Sequence, residues 1–401
     1  MISFGLDEEQ QLIQDNVRKF AEERLWPRIR ETEAARELPA ALVEEAHGLG
    51  LRTLSVPEQA GGQGLGLVTA CLVEEQLAWG DASACYALGG AGALVSLVVE
   101  LGDAGQHLDV LSRFTADDGA GRRGALAFGE SSPAAAAGMR TTAEETGMGW
   151  LIEGDKAFVV NGGVADRYVV VAQVDPSRGW DGLGAFVVPG DARGVSPGSR
   201  RRSLGLDAAH IADVSFDGVR VPETARLAGG DDFGGALLRG LARHSLLTAA
   251  RCVGVAQRAF ELTRDYCAER TAFGKPIGHF QAVAFDVADR LIDVEGARWM
   301  VWKAAADWDT SSAPRLGDVA SACAHASEAA LRCGDTAVQL HGGAGFVRDF
   351  AVEKLFRDAR QLSLMATSAE ALGQIVAEEE LGRPHDLAAL LPTTDIQPVC
   401  L

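Results

Sequence analysis

The stretch Arg357-Asp358-Ala359-Arg360-Gln361-Leu362-Ser363-Leu364-Met365-Ala366-Thr367-Ser368-Ala369-Glu370 carries more information than any other in this chain. It lies in the last of several long helical segments, which run over about 237–268, 281–308, 315–341 and 350–380. Long helices with short connections predict a bundle of four or more. Working back from it, the character changes between Gly124 and about Gly234. There Trp150-Leu151-Ile152, Ala157-Phe158-Val159-Val160, Tyr168-Val169-Val170-Val171-Ala172, Ala185-Phe186-Val187-Val188 and Val214-Ser215-Phe216 read as strands. Asn161-Gly162-Gly163 and Pro189-Gly190 mark turns. Further back, Leu12, Ile13, Val17, Phe20 and Ala21 recur at helical spacing, and Pro27 ends or kinks that helix. Leu42, Val43, Ala46, Leu49 and Leu51 mark a second amphipathic stretch. The glycines of Pro57–Gly64 make a loop.

The order is therefore helices, strands, helices, an α+β chain. The expected division is an N-terminal α-helical domain at 1–122, a middle β-domain (barrel or sandwich) at 123–234 and a C-terminal four-helix bundle at 235–381. An irregular tail with Pro384, Pro392 and Pro398 occupies 382–401.

Composition narrows the function class. The formal net charge of -19 argues against nucleic acid or an anionic membrane as partner, since both need a basic surface. The seven cysteines are odd in number, with no pair at CxxC spacing, so neither a disulfide framework nor a zinc site is expected. Buried thiols in a reducing, cytoplasmic compartment are the expectation. The N-terminus lacks the basic and apolar regions of a signal peptide. The apolar run Ala82–Val99 holds several glycines and two serines, and reads as a buried helix rather than a membrane span.

Several spaced motifs carry a resemblance. The opening stretch resembles the C-terminal signature of the acyl-CoA dehydrogenase family, in which an Arg-Asp-Ala-Arg run leads to a Glu-Gly-Thr triplet. Glu269–Ile277 with Phe280-Gln281 resembles its Arg-x-x-Phe-Gly…Gln segment, and Gln339–Phe346 its Gln-x-x-Gly-Gly-x-Gly loop. Val56-Pro57-Glu58 with Gly61–Gly64, and Val219-Arg220-Val221-Pro222, fit the family at the expected places. The resemblance covers about residues 5 to 380. It implies FAD held between the β-domain and the C-terminal bundle, with a neighbouring subunit completing the site. It also implies an acyl-CoA or acyl-carrier-protein substrate and a homo-oligomer, dimer or tetramer. Arg270 would neutralise pyrophosphate with its planar, permanently charged fork. Phe273 would pack along the adenosine part, and Gln281 would hydrogen-bond the dinucleotide. Gln339 would bind the cofactor, and Gly342 and Gly343, lacking side chains, would let backbone approach it. Phe128, Gly129, Phe158, Val160 and Ser368 would line the flavin end.

The chain departs from the pattern around the reacting atoms. The family's base, the Glu of the triplet, is matched by Ala366, and a methyl group accepts no proton. Its Thr-Glu-Pro…Gly-Ser-Asp segment reads Gly129-Glu130-Ser131-Ser132-Pro133-Ala134-Ala135-Ala136-Ala137-Gly138. Its Trp-x-Thr reads Phe158-Val159-Val160, and valine has the shape of threonine without the hydrogen bond. Each lost hydrogen bond is worth roughly 0.5–1.5 kcal/mol. A lost general base forfeits roughly 10²–10⁴ in rate. Some members place the base on the first long helix of the C-terminal domain, and that position is His244. Three readings stand: dehydrogenation of an acyl thioester, a different flavoenzyme (oxygenase or lyase) on the same fold, and a non-catalytic member.

Overall fold

The computed structural model describes residues 5–88, 90, 92–130, 139–230, 232–311, 313–365 and 369–385. Ala366, Thr367 and Ser368, the segment 131–138 and the chain beyond 385 lie outside the described residues. Six helices come first: α1 Glu8–Phe20, α2 Ile29–Ala35, α3 Ala40–Gly48, α4 Leu67–Leu88, α5 Ala93–Leu101 and α6 Ala104–Thr115. The strands β1 Gly124–Ala127, β2 Thr142–Thr146, β3 Gly149–Val160, β4 Arg167–Gln173, β5 Leu183–Pro189, β6 Val195–Pro197 and β7 Ile211–Val221 follow. Next are α7 Phe233–Glu269, a small hairpin of β8 Thr271–Ala272 and β9 Lys275–Pro276, α8 Gln281–Thr310, α9 Leu316–Leu340, α10 Val352–Leu362 and α11 Ala369–Glu380.

Asp7 opens α1 as a full capping box, its carboxylate accepting from Gln10 N at 2.7 Å. The helix does not stop cleanly at Pro27. A π turn over Ala21–Leu25 and a 3-10 turn over Trp26–Arg28 carry the chain into α2, because proline removes one donor yet suits a helical first turn. The two expected strands Trp150–Ile152 and Ala157–Val160 are halves of one strand, β3, which pairs antiparallel with β7 across two register shifts. The middle sheet runs β1-β4-β2-β3-β7-β6, with β5 on β4. The expected last helix, 350–380, is two helices, α10 ending at Leu362 and α11 beginning at Ala369.

The middle sheet is not a separate body. Leu206 and Ile211, beside and on β7, join the helical core built from α4, α7 and α9. A Cβ on Gly205 would lie 2.6 Å from the Arg357 carbonyl, so only glycine permits this approach to α10. Asp358 of the opening stretch then accepts from Leu206 N at 2.7 Å. Its other oxygen takes a hydrogen bond from Lys354 Nζ at 2.6 Å, and Lys354 also reaches Asp81 at 3.2 Å. Asp81 sits at a kink inside α4 with non-helical backbone. All three side chains are buried, which only pairing makes tolerable. Asp358 thus joins α10 to the loop before β7, and Lys354 beside it joins α10 to α4.

Candidate active site

A cavity of about 550 Å³ lies where the sheet meets the helices. One wall is the end of β1 and β3, with Phe128, Gly129, Phe158 and Val160 facing in. The other is helical: His244 and Arg251 of α7, and Glu74 and Tyr86 of α4. Met365 and Ala371, which flank the undescribed 366–368, both border the cavity.

The sheet wall is braced by a buried ion pair. Lys156 Nζ, fully buried on β3, donates to Glu130 Oε1 at 2.9 Å and to the Phe128 carbonyl at 3.1 Å. Burial pushes the Lys156 ammonium down to about 8 even with that partner. For Glu130, burial alone raises the carboxyl, but Lys156 and the Arg140 and Thr141 amides outweigh it and bring it below its ordinary value.

The helical wall is polar and pre-paired. Arg251 grips Glu74 bidentately at 2.7 and 2.9 Å, and its guanidinium lies 4.4 Å from the centre of the Tyr86 ring. The Arg251 side chain is 5% exposed and that of Glu74 17%, and both border the cavity. His244 stands two helical turns before Arg251 on the same face. Burial first, then the nearby Arg251 charge, pushes its imidazole down to about 3. The ring is therefore neutral across the physiological range and a weak proton acceptor.

The remaining site residues lie elsewhere. Arg270 caps the end of α7, and Phe273 and Gly274 form the turn of the β8–β9 hairpin. Gln281 opens α8. Gln339, Gly342 and Gly343 close α9, and His341 beside them stacks on Tyr266 with centroids 4.2 Å apart. That stack brings the glycine loop alongside the last turn of α7, one turn before Arg270. Arg270, Phe273, Gln281, Gln339, Gly342 and Gly343 are all exposed, and none borders the cavity. A Cβ on Gly342 or Gly343 would meet nothing of this chain, so packing demands glycine at neither position, whereas the Gly342 backbone at φ +57° favours it. Ser368, like Ala366, lies outside the described residues.

Reading the sequence missed Glu74, Tyr86 and Arg251. A signal was there. Arg251 is the lone charge in the apolar run Ser245–Val255, and a charge on a buried helix face needs a partner. Its partner lies 177 residues away, beyond any local pattern.

Three family models tile the chain. The acyl-CoA dehydrogenase N-terminal domain matches residues 7–118, the middle domain 129–219 and the C-terminal domain 235–381. The chain belongs to the acyl-CoA dehydrogenase family. Its members are FAD-dependent oxidoreductases acting on CH–CH groups. A probable acyl-CoA dehydrogenase of Mycobacterium tuberculosis is 35% identical over 368 residues, covering 89% of this chain and 91% of that protein. The short-chain specific acyl-CoA dehydrogenase of Homo sapiens mitochondria is 30% identical, covering 94% and 90%. Among solved structures, butyryl-CoA dehydrogenase from Megasphaera elsdenii superposes with a TM-score of 0.87 at 27% identity, covering 95% of this chain and 100% of that one. Glutaryl-coenzyme A dehydrogenase in its glutaryl-CoA complex gives 0.88 at 28% identity, covering 96% and 98%.

The residues present fit the family's cofactor. The cavity wall offers an aromatic ring and a glycine edge, and the exposed patch offers an arginine fork with side-chain-free backbone. Among the described residues, no cluster of three His, Cys, Asp or Glu side chains is placed to hold a metal ion. No single described helix is long and apolar enough to cross a membrane.

Proposed function

We propose that this chain α,β-dehydrogenates an acyl thioester carried on CoA or an acyl carrier protein, with FAD as the hydride acceptor and without a carboxylate at position 366. The observation that supports this best is the cavity itself, bounded on one side by Phe128, Gly129, Phe158 and Val160 and on the other by His244. FAD supplies the two-electron acceptor chemistry, and the protein's part is to bind, orient and keep water out. The sheet wall holds the ring system. The helical wall flanks the acyl group, with His244, neutral but weakly basic, as the proton acceptor. Arg270 takes the pyrophosphate, Phe273, Gln281 and Gln339 bind the dinucleotide, and Gly342 and Gly343 let it approach, all for the cavity of a second copy. The active species is a homo-oligomer, a dimer or tetramer, in the cytoplasm. The functional division of the chain is 1–122, 123–234 and 235–381.

A second reading draws on one specific feature. Among the described residues, the two carboxylates bordering the cavity, Glu74 and Glu130, are held in ion pairs, and His244 is pushed down to about 3. A site so poor in free bases suits a flavoenzyme that does not begin by removing an α-proton, such as an oxygenase or lyase. One experiment separates the two. Under nitrogen, acyl-CoA thioesters should bleach the purified yellow protein. Bleaching only by an external reductant, with later oxygen uptake, supports the second reading. A colourless protein that takes up no FAD overturns both and leaves a non-catalytic member.

A further inference from the structure

Phe158 is held against its own backbone preference. It lies inside β3 at the register shift between Lys156 and Val159 and adopts a φ of +53°. The left-handed region is costly for any side chain with a Cβ and worst for a bulky one. Such strain persists only where surrounding contacts over-determine it. Packing does not repay it here, because the ring is 62% exposed and borders the cavity.

Two charged side chains do the holding. The Phe158 N–H donates to Asp213 Oδ1 on β7 at 3.0 Å. Arg201, in the loop between β6 and β7, grips the same carboxylate through Nε at 2.9 Å and through Nη2. Its guanidinium carbon then lies 4.3 Å from the centre of the Phe158 ring. Arg201 is itself fixed by its N–H, which donates to the Ile211 carbonyl at 2.8 Å. Asp213 is thus a hinge pin, fixing the strained backbone with one bond and the cation with two more. The cation covers one side of the ring, and the rest of the ring is left to the cavity.

We infer that Arg201 and Asp213 are positioning residues that present the Phe158 ring as a stacking platform for a flat aromatic ligand. Within the function proposed above, on which this rests, that ligand is the flavin ring system. A cation behind an aromatic ring draws on its negative face, so the opposite face is a better neighbour for an electron-rich partner. Reduction makes a flavin more electron-rich. The platform therefore favours the reduced state over the oxidised one, and it does so through Arg201 rather than through any hydrogen bond to the ring.

The test uses the full-length FAD-loaded protein and the variants Arg201→Gln, Arg201→Lys, Asp213→Asn and Phe158→Leu. FAD dissociation is measured by equilibrium dialysis and the midpoint potential by dye equilibration. Arg201→Gln should weaken FAD binding about 2–5-fold, the range one exposed cation–π contact supports. It should also move the midpoint potential to a more negative value. Arg201→Lys should recover part of the potential, because it restores charge without the fork. Asp213→Asn should act like Arg201→Gln, and Phe158→Leu should remove the effect of Arg201→Gln in the double variant. A potential unchanged in Arg201→Gln, or an equal shift whether Phe158 is present or not, overturns the platform. If Arg201→Gln lowers the melting temperature while FAD affinity and potential stay put, the cluster is structural only and the inference fails. A wild-type protein that takes up no FAD sinks the proposed function first, and is told apart by its lack of colour.

Discussion

The chain carries two sets of residues suited to one dinucleotide, and they are built in opposite ways. Phe128, Gly129, Phe158 and Val160 border an internal cavity. Arg270, Phe273, Gln281, Gln339, Gly342 and Gly343 stand exposed, outside it. Each set contains a phenylalanine in the left-handed region, Phe158 at +53° and Phe273 at +51°. Phe158 is braced by Asp213 and Arg201 of its own chain. Phe273 is 95% exposed, its one aromatic neighbour Phe280 meeting it edge-on at 6.2 Å. Its backbone is set by the two-residue β8–β9 turn, in which Gly274 also has a positive φ of +84°, so the hairpin fixes the chain and leaves the ring to solvent. The difference teaches that one set is enclosed and braced by its own chain whereas the other is left open, and the proposed function gives the open set to the cavity of a second copy.

Mixing inactive chains breaks or upholds that contrast most decisively. Protein carrying Arg270→Ala and protein carrying Phe158→Ala should each lose most activity. Co-refolded, they should regain part of it, because a mixed oligomer joins an intact cavity to an intact Arg270. No recovery would mean that both sets serve the same chain.

Stability gives the next largest effect. Lys354→Ala should cost about 3–5 kcal/mol, the penalty for leaving buried carboxylates without their cation, and denaturant melts would show it. The loss should loosen α10 and α4, which Lys354 joins through Asp358 and Asp81, and α4 carries Glu74 and Tyr86 of the cavity wall, so that wall should suffer far more than the exposed set. Flavin affinity of Arg270→Ala separates the two sets by another route. Losing a charge-assisted contact is worth about 1.5–3 kcal/mol, or roughly 10–100-fold, with the fold's melting temperature hardly changed.

The pH profile gives the smallest but sharpest test of His244. If it takes the α-proton, kcat/KM should show no acid limb between pH 5 and 8, since a ring titrating near 3 is already neutral there. An acid limb near 6 would point to another group. The stability sign runs the same way. With the folded value below 6.5, the neutral ring's contribution is present above that pH and fades as pH falls, because the unfolded state takes the proton first.

How far local pattern reaches is visible in particular residues. The helical periodicity around Leu12–Ala21 and the unbroken apolar run Tyr168–Ala172 mark their elements directly, because a 3.6-residue repeat and a short continuous apolar run are properties of short segments. Even there, β3 joined two expected strands and α10–α11 split one expected helix. The motifs placed Phe158 and Gly129 by order along the chain, and the cavity brings them together. Nothing local marked Arg201 as the partner of Phe158, since a basic residue in a loop is ordinarily solvated.

Family, layer order and the bundle follow from residues read in line, because each depends on neighbours a few positions apart. The pairing of Glu74 with Arg251, the Lys354 tie between α10 and α4 and the cation set behind Phe158 do not. They join residues brought close by folding alone, and a buried or strained group takes its meaning from whatever the fold sets against it.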